Sequence, residues 1–336
     1  MWRFLLGALL VLAFALVLIA LVGPLFINPN QAPEKSPTRV DPAAATHSFV
    51  TIPVSGSPGL RIHYRDSSDP RDDAIEPIGS QDFLLLHGFT FNLSTWGPLF
   101  KFFAREGRTI AYDQLPYGLS EKPLPADLET NNPYAKASAV EQLLALMDAL
   151  EMPRAILVGN SSGGTLALDV ALQAPERVSG LILIDPWVYA NRPTFPAWLV
   201  GTPQMKRISL MLGRYLGGGM PLLKLSYFDP ERITEERREL ATSHTWAPGW
   251  DLAWGALMNR SLLDPVTVSE GLAQITQPTL IISGSEDRVV KMADSARVAR
   301  TMPNAEFAVL PECGHVPQEE CPDLIKAVIA DWLRHL

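Results

Sequence analysis

Residues 159–164 read Gly-Asn-Ser-Ser-Gly-Gly and directly follow the apolar run Ala155-Ile156-Leu157-Val158. Helical spacing resumes over 165–174 and stops before Pro175. The stretch is therefore a tight turn from strand to helix. With Ser161 at the apex, Gly159 and Gly163 flank it two residues away on either side. A sharp turn brings those flanks together, so only small side chains fit, and it exposes the apex hydroxyl. Placing Ser162 at the apex would put Asn160 in a flank, which fits poorly. Ser161 is thus the candidate nucleophile. Ser162 would offer its backbone N–H at the start of the helix, where free N–H groups favour an anion.

A serine hydroxyl is a weak nucleophile at neutral pH and needs a base. His47 lies in a proline-rich leader, His63 in a strand, His244 in a central insertion and His335 at the tail. His87 and His315 remain. His315 sits in Cys-Gly-His-Val-Pro (313–317) just after the last strand-like run. Strand ends on that side are where open α/β sheets place their chemistry. An acid between 161 and 315 is then required to orient the imidazole. Asp287, in Gly-Ser-Glu-Asp-Arg-Val-Val (284–290), follows the run 279–282 and fits, with Glu286 and Asp185 as alternatives. His87-Gly88-Phe89-Thr90 follows the run 83–86. There Gly88 lets backbone approach the reacting atom, and the Phe89 N–H would join that of Ser162 in an oxyanion hole. His87 is read chiefly as a brace for this loop.

Other chemistries find little here. No lysine follows the glycines as a phosphate-binding loop requires, and the dinucleotide pattern Gly-x-Gly-x-x-Gly is absent from this turn. The two cysteines, Cys313 and Cys321, form no CxxC or Cys/His cluster, so no metal and no cofactor is expected. Their spacing permits a disulfide, with two free thiols as the alternative.

These residues need a scaffold. Residues 49–54 and 60–64 read as a leading pair of strands; short apolar runs at 83–86, 109–112, 155–158 and 181–184, with 279–282 and 306–310 completing the set, read as strands buried on both faces. A helical pattern at 137–150 puts Val140, Leu143, Leu144 and Met147 on one side. Alternating strands and helices predict a doubly wound α/β domain. The rhythm breaks over 187–277, which holds no strong strand but carries Trp187, Trp198, Trp246, Trp250 and Trp254. This reads as a helical lid over the site, with ordinary helix packing as the alternative. Possible substrate contacts are His87, Trp187, Trp250 and Trp254.

Taken in order, the motifs at 87–90, 112–120, 159–164, 284–290 and 314–322 resemble those of the α/β-hydrolase superfamily. The resemblance runs from about residue 49 to the end. It implies an α/β-hydrolase fold, with a mostly parallel eight-stranded sheet flanked by helices and a helical cap after the sixth strand. It also implies the triad Ser161, Asp287 and His315, with Phe89 and Ser162 as oxyanion donors. Core halves would be 49–186 and 278–336, with the cap at 187–277. One departure is visible: Gln114-Leu115 follows Asp113 where family members often carry Arg-Gly or His-Gly. Haloalkane dehalogenases and epoxide hydrolases of this layout use an aspartate at the apex, and Ser161 argues against both. The expected activity is hydrolysis of a carboxylic ester with an apolar group, through an acyl-enzyme. Carbon–carbon bond hydrolysis, amidase or aminopeptidase-like activity and perhydrolysis are the alternatives on the same triad, and a non-catalytic binding module is the alternative of another class.

The chain has 336 residues and a formal charge of −8 with no dense basic block, which argues against a nucleic-acid partner. Residues 4–23 carry no charge; 20 residues of helix would span about 30 Å, the thickness of a bilayer core. Residues 1–27 are therefore expected to be a transmembrane signal anchor. The closest positive charge, Arg3, precedes the run and favours an extracytoplasmic catalytic domain. Residues 28–48, with Pro29, Pro33, Pro37 and Pro42, would be a semi-rigid tether.

Overall fold

A strand covered by helices on both sides must bury every side chain. The inner strands Phe83–Leu86, Thr109–Tyr112, Ala155–Asn160 and Thr279–Gly284 do so, while the outer strands Ser48–Ile52 and Ala305–Leu310 expose part of theirs. The computed structural model describes residues 18, 22–28, 48–55, 59–71, 75–124, 132–189, 193–219 and 221–336. Eight strands form one sheet: β1 (Ser48–Ile52), β2 (Leu60–Asp66), β3 (Phe83–Leu86), β4 (Thr109–Tyr112), β5 (Ala155–Asn160), β6 (Val178–Ile184), β7 (Thr279–Gly284) and β8 (Ala305–Leu310). Their order is β1-β2-β4-β3-β5-β6-β7-β8. The first two pairings are antiparallel and the rest are parallel. This is the mostly parallel eight-stranded sheet that the motifs imply.

The helices in chain order are α1 (Gly97–Glu106), α2 (Lys136–Ala149), α3 (Ser162–Gln173), α4 (Ala197–Val200), α5 (Pro203–Gly219), α6 (Pro221–Ser226), α7 (Glu235–Ala241), α8 (Trp250–Ser261), α9 (Met292–Thr301), α10 (Pro317–Glu320) and α11 (Pro322–Leu333). Successive strand side chains alternate between two cores. Leu84, Leu157, Leu183 and Ile281 point to the side covered by α2, α3 and α9. Phe83, Leu85, Ile156, Val158, Ile182 and Ile282 point to the side covered by α1 and α11. This period of two is the geometry of a strand, and each fully buried aliphatic side chain contributes about 1.5–3 kcal/mol. In α2 the buried stripe is Val140, Leu143, Leu146 and Met147; Leu144, expected from spacing, is only partly buried.

Between β6 and β7 the described chain is helical, from α4 to α8, with short 3-10 turns between. The packing of α5 along α8 forms the centre of this segment. Its base is tied to the sheet domain through charge. Arg237 of α7 donates from Nε and Nη2 to the Glu319 carboxylate at 2.6 Å each, and Tyr227 donates to the same carboxylate at 2.5 Å. Glu319 belongs to α10, directly after the loop that carries His315.

The membrane localisation expected from the sequence is corrected. Among the described residues no helix is long and apolar enough to cross a membrane. Most of the apolar run 4–23, and most of the tether 28–48, lie outside the described residues. Within 1–27, Leu18 and Val22 are helical, and Gly23–Phe26, at the end of the run, is a 3-10 turn with Pro24 in its first positions that packs against α5.

Candidate active site

The turn after β5 is built by exclusion. An ideal Cβ on Gly159 would lie 2.5 Å from the Gly163 carbonyl oxygen, and one on Gly163 would lie 2.2 Å from the Leu86 carbonyl oxygen. Neither position accepts a side chain, so β5 can turn into α3 within a single residue. That residue is Ser161, held at φ 54° and ψ −119°, a conformation few non-glycine residues adopt. Ser161 occupies the N-cap of α3, where a serine ordinarily bonds back to the helix. Here it makes no cap hydrogen bond. The backbone is instead fixed by the Ser161 N–H donating to Ile184 O at 2.9 Å and the Trp187 N–H donating to Ser161 O at 3.1 Å. The hydroxyl is left for the cavity that Ser161 lines.

The loop after β3 comes against this turn. A Cβ on Gly88 would lie 3.1 Å from both Asn160 Oδ1 and Ser161 Cβ. Phe89, next along, lines the same cavity, as do Ser162 and His315. As first residue of α3, Ser162 has no intrahelical acceptor for its N–H. His87 is fully buried and braces the loop: Nδ1 bonds Gly88 O at 2.8 Å, and Nε2 accepts the Gln114 N–H at 3.0 Å. Burial pushes the His87 ring pKa down, which keeps Nε2 an acceptor. Gln114 also lines the cavity and donates from Nε2 to His87 O at 2.6 Å. The residue that departs from the family pattern therefore shapes the pocket and fixes the loop beneath it.

His315 is held from four directions. Its N–H donates to Ser226 O at 2.7 Å, and its carbonyl accepts Asn160 Nδ2 at 3.0 Å. Its Nδ1 meets Asp287 Oδ2 at 2.7 Å. The loop that carries it is closed by a disulfide between Cys313 and Cys321. Glu320 adds a further clamp, accepting from the N–H groups of Gly314, Phe228 and Asp229 at 2.8, 3.0 and 2.8 Å. Asp287 in turn accepts the Val289 and Val290 N–H groups on Oδ1 at 2.6 and 2.9 Å. A carboxylate with three donors is well placed to fix the imidazole with its proton on Nδ1 and leave Nε2 as the acceptor. The side chain of Glu286, the neighbour of Asp287, accepts from the Ser285 hydroxyl and faces solvent.

The cavity has a volume of about 900 Å³ and a mostly apolar wall, including Leu166 of α3, Trp187, Met205, Ile208 and Leu212 of α5, and Leu257 of α8. One wall carries the ion pair Lys136–Asp169, with Nζ and Oδ1 3.0 Å apart. Of the four side chains suggested for substrate contact, only Trp187 lines the cavity. His87 is spent on the loop. Trp250 and Trp254, one turn apart on α8, both face inward: Trp254 stacks on His244 and meets Tyr117 edge-on, and Trp250 meets His244 edge-on. Sequence reasoning missed Asn160 as the clamp on His315, and no local signal marks it beyond its place beside the apex. It also missed that Asp185, just after β6, stands beside the Asp287 carboxyl and the His315 ring, with one atom of each within 4.8 Å; its position at a strand end was the available clue.

A family model for the alpha/beta hydrolase family matches residues 83–328, and the chain belongs to that family. Among similar sequences is a 2-hydroxy-6-oxononadienedioate/2-hydroxy-6-oxononatrienedioate hydrolase of Comamonas testosteroni, 28% identical over 299 residues that cover 86% of this chain and 97% of that protein. A 2-hydroxymuconate semialdehyde hydrolase of Pseudomonas putida is 28% identical over 235 residues, covering 67% of this chain and 76% of that protein. A solved structure of a meta-cleavage product hydrolase from Pseudomonas fluorescens IP01 superposes with a TM-score of 0.63 at 24% identity, covering 85% of this chain and 97% of that one. At that identity the structural likeness speaks to the fold alone. The chain is accordingly a hydrolase of the alpha/beta family.

Proposed function

We propose that the chain is a serine hydrolase of carbonyl compounds, with Ser161 as nucleophile, His315 as base and Asp287 as the acid that orients it. One observation carries this reading. Ser161 stands at positive φ with its hydroxyl unspent on the helix it caps, in the wall of a cavity shared with His315. In the proposed sequence His315 Nε2 takes the Ser161 proton as Oγ attacks the carbonyl carbon. The Phe89 and Ser162 N–H groups bind the oxyanion. His315 then protonates the leaving group, and water activated by the same imidazole releases the acid. The helical segment 187–277 acts as a cap that keeps bulk water from the acyl-enzyme.

For the bond that is broken, the sequence relatives favour the carbon–carbon alternative over the carboxylic ester first expected. Their names describe hydrolases of 2-hydroxy-6-oxo acids and of a 2-hydroxy semialdehyde. On such a substrate Ser161 would attack a ketone or aldehyde carbon, and the carbon–carbon electron pair would leave with the conjugated fragment. An ester of an apolar acid is the second reading, and one observation favours it. The cavity wall is mostly apolar; of the lysine and arginine that line it, Lys136 is already paired with Asp169 and Arg288 is exposed to solvent.

Labelling by a fluorophosphonate probe, followed by peptide mapping, tests the common part. Labelled Ser161, lost in His315→Ala, is the expected result; folded protein that takes no label sinks the reading. Turnover of a 2-hydroxy-6-oxo-dienoate against a set of p-nitrophenyl esters then separates the two bonds.

A further inference from the structure

Asp185 follows β6 as a wholly buried carboxyl, and the proposed mechanism leaves it without a task. Its backbone is held at φ 44°, with its N–H donating to Ile282 O at 2.9 Å. Its Oδ1 accepts the Ser283 hydroxyl at 2.7 Å, and the Gly284 N–H lies 3.2 and 3.3 Å from its two oxygens. One oxygen of Asp185, one of Asp287 and a ring nitrogen of His315 all lie within 4.8 Å of one another, so the two carboxyls stand side by side against the imidazole. Among the described residues, Asp287 from the loop after β7 and His315 from the loop after β8 are the titratable groups that face Asp185.

Two carboxyls side by side inside a protein do not both ionise, because the like charges are poorly screened there. The donors decide which one keeps the charge. Asp287 receives two short backbone N–H bonds and the His315 Nδ1–H. Asp185 receives one hydroxyl and one long backbone bond. We propose that Asp185 is a positioning residue of this site: it carries the shared proton, donates it to Asp287, and so holds that carboxylate on His315 Nδ1. Burial first, and the Asp287 charge second, push the Asp185 pKa well above the usual carboxylate range. The inference rests on the triad reading above and adds a consequence to it. If Asp287 loses its charge, Asp185 no longer faces an anion, can ionise, and stands near enough to serve the imidazole in its place.

The test uses the full chain with Asp185→Asn, Asp287→Asn and the double variant, each checked for folding by thermal melting. The readout is the rate of Ser161 labelling by a fluorophosphonate probe as a function of pH. Asp185→Asn should label within about 3-fold of wild type, because an amide N–H replaces the O–H donor. Removing the acid of a serine triad generally costs about 10⁴-fold. Asp287→Asn should lose clearly less, staying at least about 10-fold faster than the double variant. Its acid limb should lie at higher pH than in wild type, because Asp185 must first lose its proton. Equal rates for Asp287→Asn and the double variant, with wild type labelled, would overturn the role of Asp185 and leave the proposed function standing. Folded wild type without label would overturn the proposed function itself. Should Asp185→Asn fail to fold, the Asp287→Asn profile decides alone: a residual rate with a raised acid limb supports the proposal, and one without it does not.

Discussion

Replacing Gly159 by alanine should damage this protein through a single added methyl group. The new Cβ would lie 2.5 Å from Gly163 O and 2.6 Å from both Gly163 C and Gly164 N. Ordinary contact between heavy atoms is about 3.5–4.0 Å, so roughly 1 Å must be gained. All three atoms are backbone in the first turn of α3, and no rotamer change relieves them. The turn must open. Overpacking of this kind costs about 1–3 kcal/mol. The opening also moves Ser161 relative to His315, and misplacement by about 1 Å can cost about 10²-fold in rate. Gly97 supplies the control within the same chain. It is the first residue of α1, and a Cβ there meets nothing within 4 Å. Gly97→Ala should be neutral or stabilise by up to about 1 kcal/mol. The assay pairs urea unfolding with the Ser161 labelling rate for both variants. Equal stability and equal rate in Gly159→Ala and wild type would refute the account of the turn.

Two further outcomes are expected. Burial first, with the nearby Lys122 charge second, lowers the His244 pKa to about 3. The unfolded chain then binds more protons than the folded one between about pH 6.5 and about 3. Stability is lost as pH falls through that window, at up to about 1.4 kcal/mol per pH unit from this group; acid unfolding curves of His244→Gln should be flatter than those of wild type, and parallel curves would show that the ring is not responsible. Glu319→Gln leaves Arg237 buried with half its partner removed, and breaking such a pair costs about 3–5 kcal/mol. The urea midpoint should fall, while Arg238→Gln on the same helix, whose ion pair with Glu235 is exposed, should change stability by less than about 1 kcal/mol.

Much of the scaffold was legible because it is local. A strand buried on both faces must be a short unbroken apolar run, and β3, β4 and β7 begin where those runs begin. The apex turn was legible because glycine two residues to either side of a serine has a steric cause that needs no distant partner. Other features depend on which surfaces meet. The pattern of α8 marks Trp250 and Trp254 as one face but cannot tell a cavity from a core, and tertiary packing gave that face to Tyr117 and His244. An uncharged run of 20 residues is long enough for a bilayer, yet length alone does not say what its end packs against, and Gly23–Phe26 lies on α5. Cys313 and Cys321 could pair or stay apart by spacing, and the fold of the His315 loop joins them. Asp185 and Asp287 are 102 positions apart in the chain and side by side only because β6 and β7 are neighbours in the sheet. The residue types that could do chemistry, and their order, are written in one dimension; the distances and charges that let them act on one another exist only once the strands are laid side by side.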